Sequence, residues 1–198
     1  MKKMIWVLAI ATLLLVSAGF VITNPVWKKE QKPQANIPVD TARLRADVVR
    51  LTSTSQPRSY DHPEALREAA AYIAREWTAA GLTPEIQPFK AAGQTYTNVI
   101  ARYGPNGAPR LVVGAHYDVC EHLPGADDNA RGVAGILELA RLLQQLKPTL
   151  DYQVELVAYC LEEPPFFRTD AMGSAVHAKS LKADSVEVLG MVVLAMIG

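Results

Sequence analysis

Three short polar clusters in this 198-residue chain carry side chains able to do chemistry. The first is His116-Tyr117-Asp118, directly after the apolar stretch Leu111 to Ala115. A histidine and an aspartate two residues apart can act together, the carboxylate orienting the imidazole; a histidine placed there can equally be structural. The second is Gly125-Ala126-Asp127-Asp128-Asn129, ahead of a helical pattern beginning near Gly132. One such residue suffices as an N-cap, but the short distance back to His116 lets a second carboxylate swing toward it. The third is Leu161-Glu162-Glu163-Pro164-Pro165. Two adjacent carboxylates after an apolar strand are costly unless they lie in water or face a positive charge. One as metal ligand beside one as general base is a sensible division of labour. Together, one histidine and three or four carboxylates describe a hard-cation or zinc site of N and O ligands. No Gly-x-Ser-x-Gly, Gly-x-Gly-x-x-Gly or Walker-type loop competes.

The elements that must position these clusters follow from periodicity and punctuation. Asp40-Thr41 can cap a helix through about Leu51, with Leu44, Val48 and Leu51 on one face. A second helix runs from near Asp61, with Pro63 in its first turn, to Gly81. Strands are expected at Glu85 to Phe89 (interrupted by proline, hence at an edge), Thr95 to Tyr103, Arg110 to Ala115, Tyr152 to Cys160 and Val188 to Ile197. Helices are expected over Gly132 to Leu146 and Met172 to Leu181. Strands alternating with helices indicate an α/β domain with a mostly parallel central sheet flanked by helices. In such sheets ligands gather at the carboxyl ends of strands, where the three clusters fall.

Composition narrows the class. Twenty basic and twenty acidic side chains leave no net charge, which argues against a nucleic-acid partner. A 49% hydrophobic fraction excludes bulk disorder. Two cysteines, Cys120 and Cys160, exclude a disulfide scaffold, although both follow strand ends and an oxidising compartment would allow them to pair.

The first 23 residues read as trafficking. Met1-Lys2-Lys3 precedes an uncharged apolar run from Met4 to Ile22, long enough for a bilayer at roughly 1.5 Å per residue. The expectation is a membrane anchor, or a secretory signal if cleaved near Ser17-Ala18-Gly19, with the remainder on the periplasmic or extracellular side. Residues 24–39, with Pro25, Pro33 and Pro38, read as a linker, leaving 40–198 as one domain.

His116-Tyr117-Asp118, the run Gly125 to Ala134 and Glu162-Glu163-Pro164-Pro165 resemble, in order and spacing, the co-catalytic zinc aminopeptidases. That family includes glutaminyl cyclases and the protease-like domain of the transferrin receptor. The resemblance implies a two-zinc exopeptidase that removes N-terminal residues from peptide substrates. Carried over, His116 would bind one metal with Asp118 orienting it, Asp127 would bridge both, and Glu163 would bind the other. Glu162 would be the general base on the attacking water. The peptide bond after the bridging aspartate is often cis in this family.

Two departures qualify that expectation. Ala195 stands where relatives carry an acidic ligand, and the family's last ligand, a histidine, lies downstream of this sequence. Both metal sites would then be one protein ligand short, and the domain incomplete at its C-terminus. The competing reading is a non-catalytic binding domain on the same scaffold; glutaminyl cyclisation is another. His122 and His177 are substitute ligands in principle, loop exposure and helix packing being their default roles. Arg131 would bring a cation beside the metals, and Met191 to Ile197 reads as a buried strand.

Overall fold

A computed structural model of the chain describes residues 2–23 and 37–197. It divides into two units, Met1–Pro38 and Val39–Gly198. In the first, the apolar run forms one helix, α1 (Lys2–Thr23). Among the described residues no helix is long and apolar enough to cross a membrane. Residues 24–36 of the expected linker lie outside the described residues.

The second unit runs α2 (Thr41–Thr52), α3 (Pro63–Ala79), β1 (Glu85–Ala91), β2 (Gln94–Tyr103), β3 (Arg110–His116), α4 (Arg131–Leu146), β4 (Gln153–Tyr159), α5 (Gly173–Ala183) and β5 (Val188–Val193). Asp40 caps α2 by accepting the Arg43 N–H at 3.0 Å. Pro63 opens α3, where its missing N–H costs nothing.

The strands form one sheet in the order β1-β2-β4-β3-β5. β3 pairs in parallel with β4 and β5, whereas β2 is antiparallel to both β1 and β4. Four strands therefore share a direction and β2 alone opposes them, so the sheet is mixed by pairing. Alternate residues feed opposite faces. Val99, Ala101, Val113, Ala115, Leu156 and Ala158 join the core that α2, α3 and α4 cover, with Ile73 and Trp77 wholly buried. Ile100, Val112, Val157 and Tyr159 face the other way, under Leu181 of α5. Each large apolar side chain buried this way contributes about 1.5–3 kcal/mol.

Charged residues lock the layers. Glu138 of α4 accepts from Arg43, and Arg141 reaches Asp47 of α2 and Glu76 of α3. On the opposite face Glu155, wholly buried, sits between Arg102, Arg110 and His177. A carboxylate there is tolerable because the guanidinium groups of Arg102 and Arg110 both donate to it.

β5 departs from expectation. It ends at Val193 and is not buried: Met191, Val192 and Val193 are 46–57% exposed. It occupies the edge of the sheet, which leaves its apolar side chains about half exposed.

Candidate metal centre

β3 ends on His116, paired with Tyr159 at the end of β4, so the segments that follow emerge side by side. Asp118, 2% exposed, joins them. Its two carboxylate oxygens accept the backbone N–H groups of Glu162 at 3.1 Å and Glu163 at 3.0 Å. Oδ1 also lies 3.5 Å from His116 Nδ1, an ion-pair approach longer than a hydrogen bond. Nδ1 is buried and has no hydrogen-bond partner.

The third contributor comes from the turn Ala126–Ala130 ahead of α4. Gly125 starts it in the left-handed region at φ 61°. A Cβ there would stand 2.1 Å from Val119 Cγ1 and 2.6 Å from Asp128 O, so only glycine fits. Asp128 then adopts a non-helical backbone (φ −110°, ψ 91°) that brings Oδ1 to 3.0 Å from His116 Nε2. The Asp128–Asn129 peptide is cis. Asn129, fully buried, accepts the Gly132 N–H at 3.1 Å and donates to Leu194 O at 2.8 Å. Gly132 leaves room for that link, since a Cβ would meet Asn129 Oδ1 and Leu194 O at 2.3 Å.

One donor atom each from His116, Asp128 and Glu163 lies within 4.8 Å of the others. Glu162 flanks this set, its Oε2 3.9 Å from His116 Nε2. Here the expectation for Asp127 is corrected. Asp127 turns outward, half-exposed, and accepts from Arg131 Nη1 at 3.1 Å. Successive side chains project in different directions, and the extended conformation at Asp128 hands the inward direction to the second aspartate. Arg131, expected beside the metals, is engaged by Asp127 instead.

The electrostatics show crowded negative charge. Burial disfavours a charged imidazole at His116, but Asp118, Glu162 and Asp128 outweigh it and push its pKa up to about 9. Burial, and after it the charge of Asp128, pushes Glu163 up to about 7. Glu162 is raised in the same way, burial again leading. One imidazole nitrogen, two converging carboxylates and an adjacent free carboxylate fit a divalent cation, whose charge would relieve that crowding.

The remaining candidates lie elsewhere. His177 packs behind the sheet, Nδ1 3.0 Å from the Tyr159 hydroxyl and Nε2 3.1 Å from Glu155. His122 is an exposed loop residue whose ring lies 6.2 Å from that of His62. Cys120 and Cys160 are free thiols, and burial pushes the Cys160 thiol well above its ordinary range. Ala195 follows Leu194, whose N–H donates to Gly114 O at 2.8 Å and whose carbonyl accepts from Asn129. It therefore stands next to the centre and offers no ligand atom.

Sequence reasoning did not single out Asp128 as the inward carboxylate or Asn129 as the tie to Leu194, and it passed over Arg58 altogether. The Asp-Asp pair was the signal for the first. Arg58, a lone arginine in a polar stretch, carries no local signature.

Residues 98–198 match the model of peptidase family M28. Over 164 residues the chain is 46% identical to the uncharacterized protein YfbL of Escherichia coli (strain K12), covering 79% of this chain and 49% of that one. It is 32% identical over 96 residues to the aminopeptidase YwaD of Bacillus subtilis (strain 168), covering 47% of this chain and 21% of that protein. A Zn-dependent exopeptidase from Parabacteroides distasonis ATCC 8503 shares the fold with a TM-score of 0.66 at 23% identity, over 82% of this chain and 63% of that one. The chain thus spans about half the length, or less, of the curated relatives it matches.

Proposed function

Because the chain belongs to peptidase family M28, we propose that its metal centre serves aminopeptidase chemistry, the hydrolysis of the N-terminal residue of a peptide. The observation that carries this reading is the convergence of His116, Asp128 and Glu163 within 4.8 Å, with Glu162 beside them. His116 and Asp128 would hold one zinc ion, and Asp128 and Glu163 a second, with Asp128 shared between them. Bound zinc polarises the scissile carbonyl and lowers the pKa of water. Glu162 takes the proton from the attacking water and returns it to the leaving amine; burial raises its pKa toward that task. Asp118 fixes the backbone of Glu162 and Glu163 through two hydrogen bonds and faces the imidazole of His116 with its negative charge at 3.5 Å.

The test is zinc content of the purified protein together with release of the arylamine from aminoacyl-arylamides. Zinc-dependent release that Glu162→Gln abolishes, with zinc retained, supports the reading. Absence of bound zinc overturns it. Ala195 favours one second reading, a metal-binding but non-catalytic domain, because it leaves the centre a donor short. Zinc bound without any turnover would identify that case. Export is a further part of the proposal, supported by Lys2-Lys3 and the uncharged run Met4 to Ile22; fractionation of cells carrying the tagged protein tests it.

A further inference from the structure

Arg58 is 1% exposed, and among the described residues no carboxylate lies in ion-pair contact with it. Its guanidinium instead donates to backbone carbonyls on both sides of the metal centre. Nε donates to Tyr117 O at 2.8 Å, Nη1 to Leu51 O and to Pro124 O at 3.3 Å, and Nη2 to Gly125 O at 3.1 Å. Its own carbonyl accepts the Val119 N–H at 3.0 Å. Tyr117 lies between His116 and Asp118, and Gly125 opens the turn that delivers Asp128. The arginine is thus a post to which the two ligand-bearing segments are separately tied.

The fit at that post is close. A Cβ on Gly125 would come within 3.0 Å of Arg58 Nη2, so the turn closes directly on the guanidinium. Burial holds the arginine pKa down to about 10, with Asp118 the charge that opposes the fall. The planar fork has donors in fixed directions and no acceptor, which suits it to several carbonyls at once. A lysine retains the charge but carries its three donors on a single nitrogen and lacks the planar fork.

We infer that Arg58 is a positioning residue that sets the separation of His116 and Asp128 and thereby the metal affinity of the centre. The inference rests on the metal reading above. It is tested with zinc alone, by competition against a chromophoric chelator, on the unmutated chain, Arg58→Lys and Arg58→Met. The metal-free circular dichroism of each variant establishes that it is folded, and the visible spectrum of bound cobalt(II) reports the ligand geometry.

The expected result is a zinc Kd raised at least tenfold in both folded variants, with an altered cobalt spectrum. Folded variants that keep the Kd within twofold and the spectrum unchanged overturn the inference while leaving the metal reading intact. Failure of the unmutated chain to bind zinc overturns both. Should neither variant fold, solvent exchange of the Arg58 Nε–H in the unmutated chain decides. Zinc slowing that exchange at least tenfold supports the role, and an unchanged rate overturns it.

Discussion

Asp118 Oδ2 accepts the backbone N–H of Glu163 at 3.0 Å, binding a residue after β3 to one after β4. The same carboxylate faces His116 Nδ1 through its other oxygen. One buried acid thus touches both the segment that carries the imidazole and the segment that carries the two glutamates. Asp118→Asn keeps the shape but removes the negative charge and one acceptor. Zinc affinity, measured by chelator competition, should fall about 10–100-fold, the usual cost of losing an orienting partner.

The adjacent acids of the turn should behave oppositely. Asp128→Asn should remove most bound zinc, because that oxygen lies 3.0 Å from His116 Nε2. Asp127→Asn loses a half-exposed pair with Arg131 and should change stability by less than about 1 kcal/mol. Metal content of the two purified variants checks this; loss in the Asp127 variant would sink the assignment.

Protons and metal compete for His116. Its metal-free pKa of about 9 means that binding near neutral pH displaces a proton, so zinc affinity should climb as pH rises toward 9. Stability of the metal-free protein should move the other way. A histidine whose pKa is raised in the folded state stabilises fully below its unfolded value of about 6.5, and that contribution is lost as pH rises through about 9. The loss is on the order of 3 kcal/mol. Glu163 acts in the same sense at lower pH, its pKa lifted from 4.5 to about 7. Denaturant unfolding in the presence of a chelator at pH 6, 8 and 10 measures the trend; stability that rises with pH would refute it.

Ala195 offers a gain-of-function test. The bonds of Leu194 to Gly114 and Asn129 place position 195 beside the centre. Ala195→Glu adds a carboxylate there and should tighten zinc binding by roughly tenfold or more, about 1.4 kcal/mol at the least. No change would mean that the glutamate points away from the ions.

Several elements were legible from local chemistry. Asp40 before a period of Leu44, Val48 and Leu51 marks α2, and the run around Val112 marks a central strand, because cap and pattern act within a few residues. The site was legible as three clusters at strand ends. Which of Asp127 and Asp128 faces inward was not, since it depends on backbone angles that start at Gly125, where Val119 leaves no room for a Cβ. Arg58 was hidden for a related reason: all its acceptors are carbonyls, which every residue type supplies. The exposure of β5 escaped because apolar composition reports a tendency to be covered, whereas coverage depends on what packs there.

That last feature governs how the chain behaves at high concentration. Among the described residues Val188–Val193 is an edge strand with half-exposed apolar side chains, a template on which another strand can add. At high concentration two copies of this polypeptide should therefore pair rim to rim through β5, a contact that closes on itself as a dimer. Val192→Lys, where the side chain already meets solvent, should suppress that pairing while leaving His116 and Asp128 untouched.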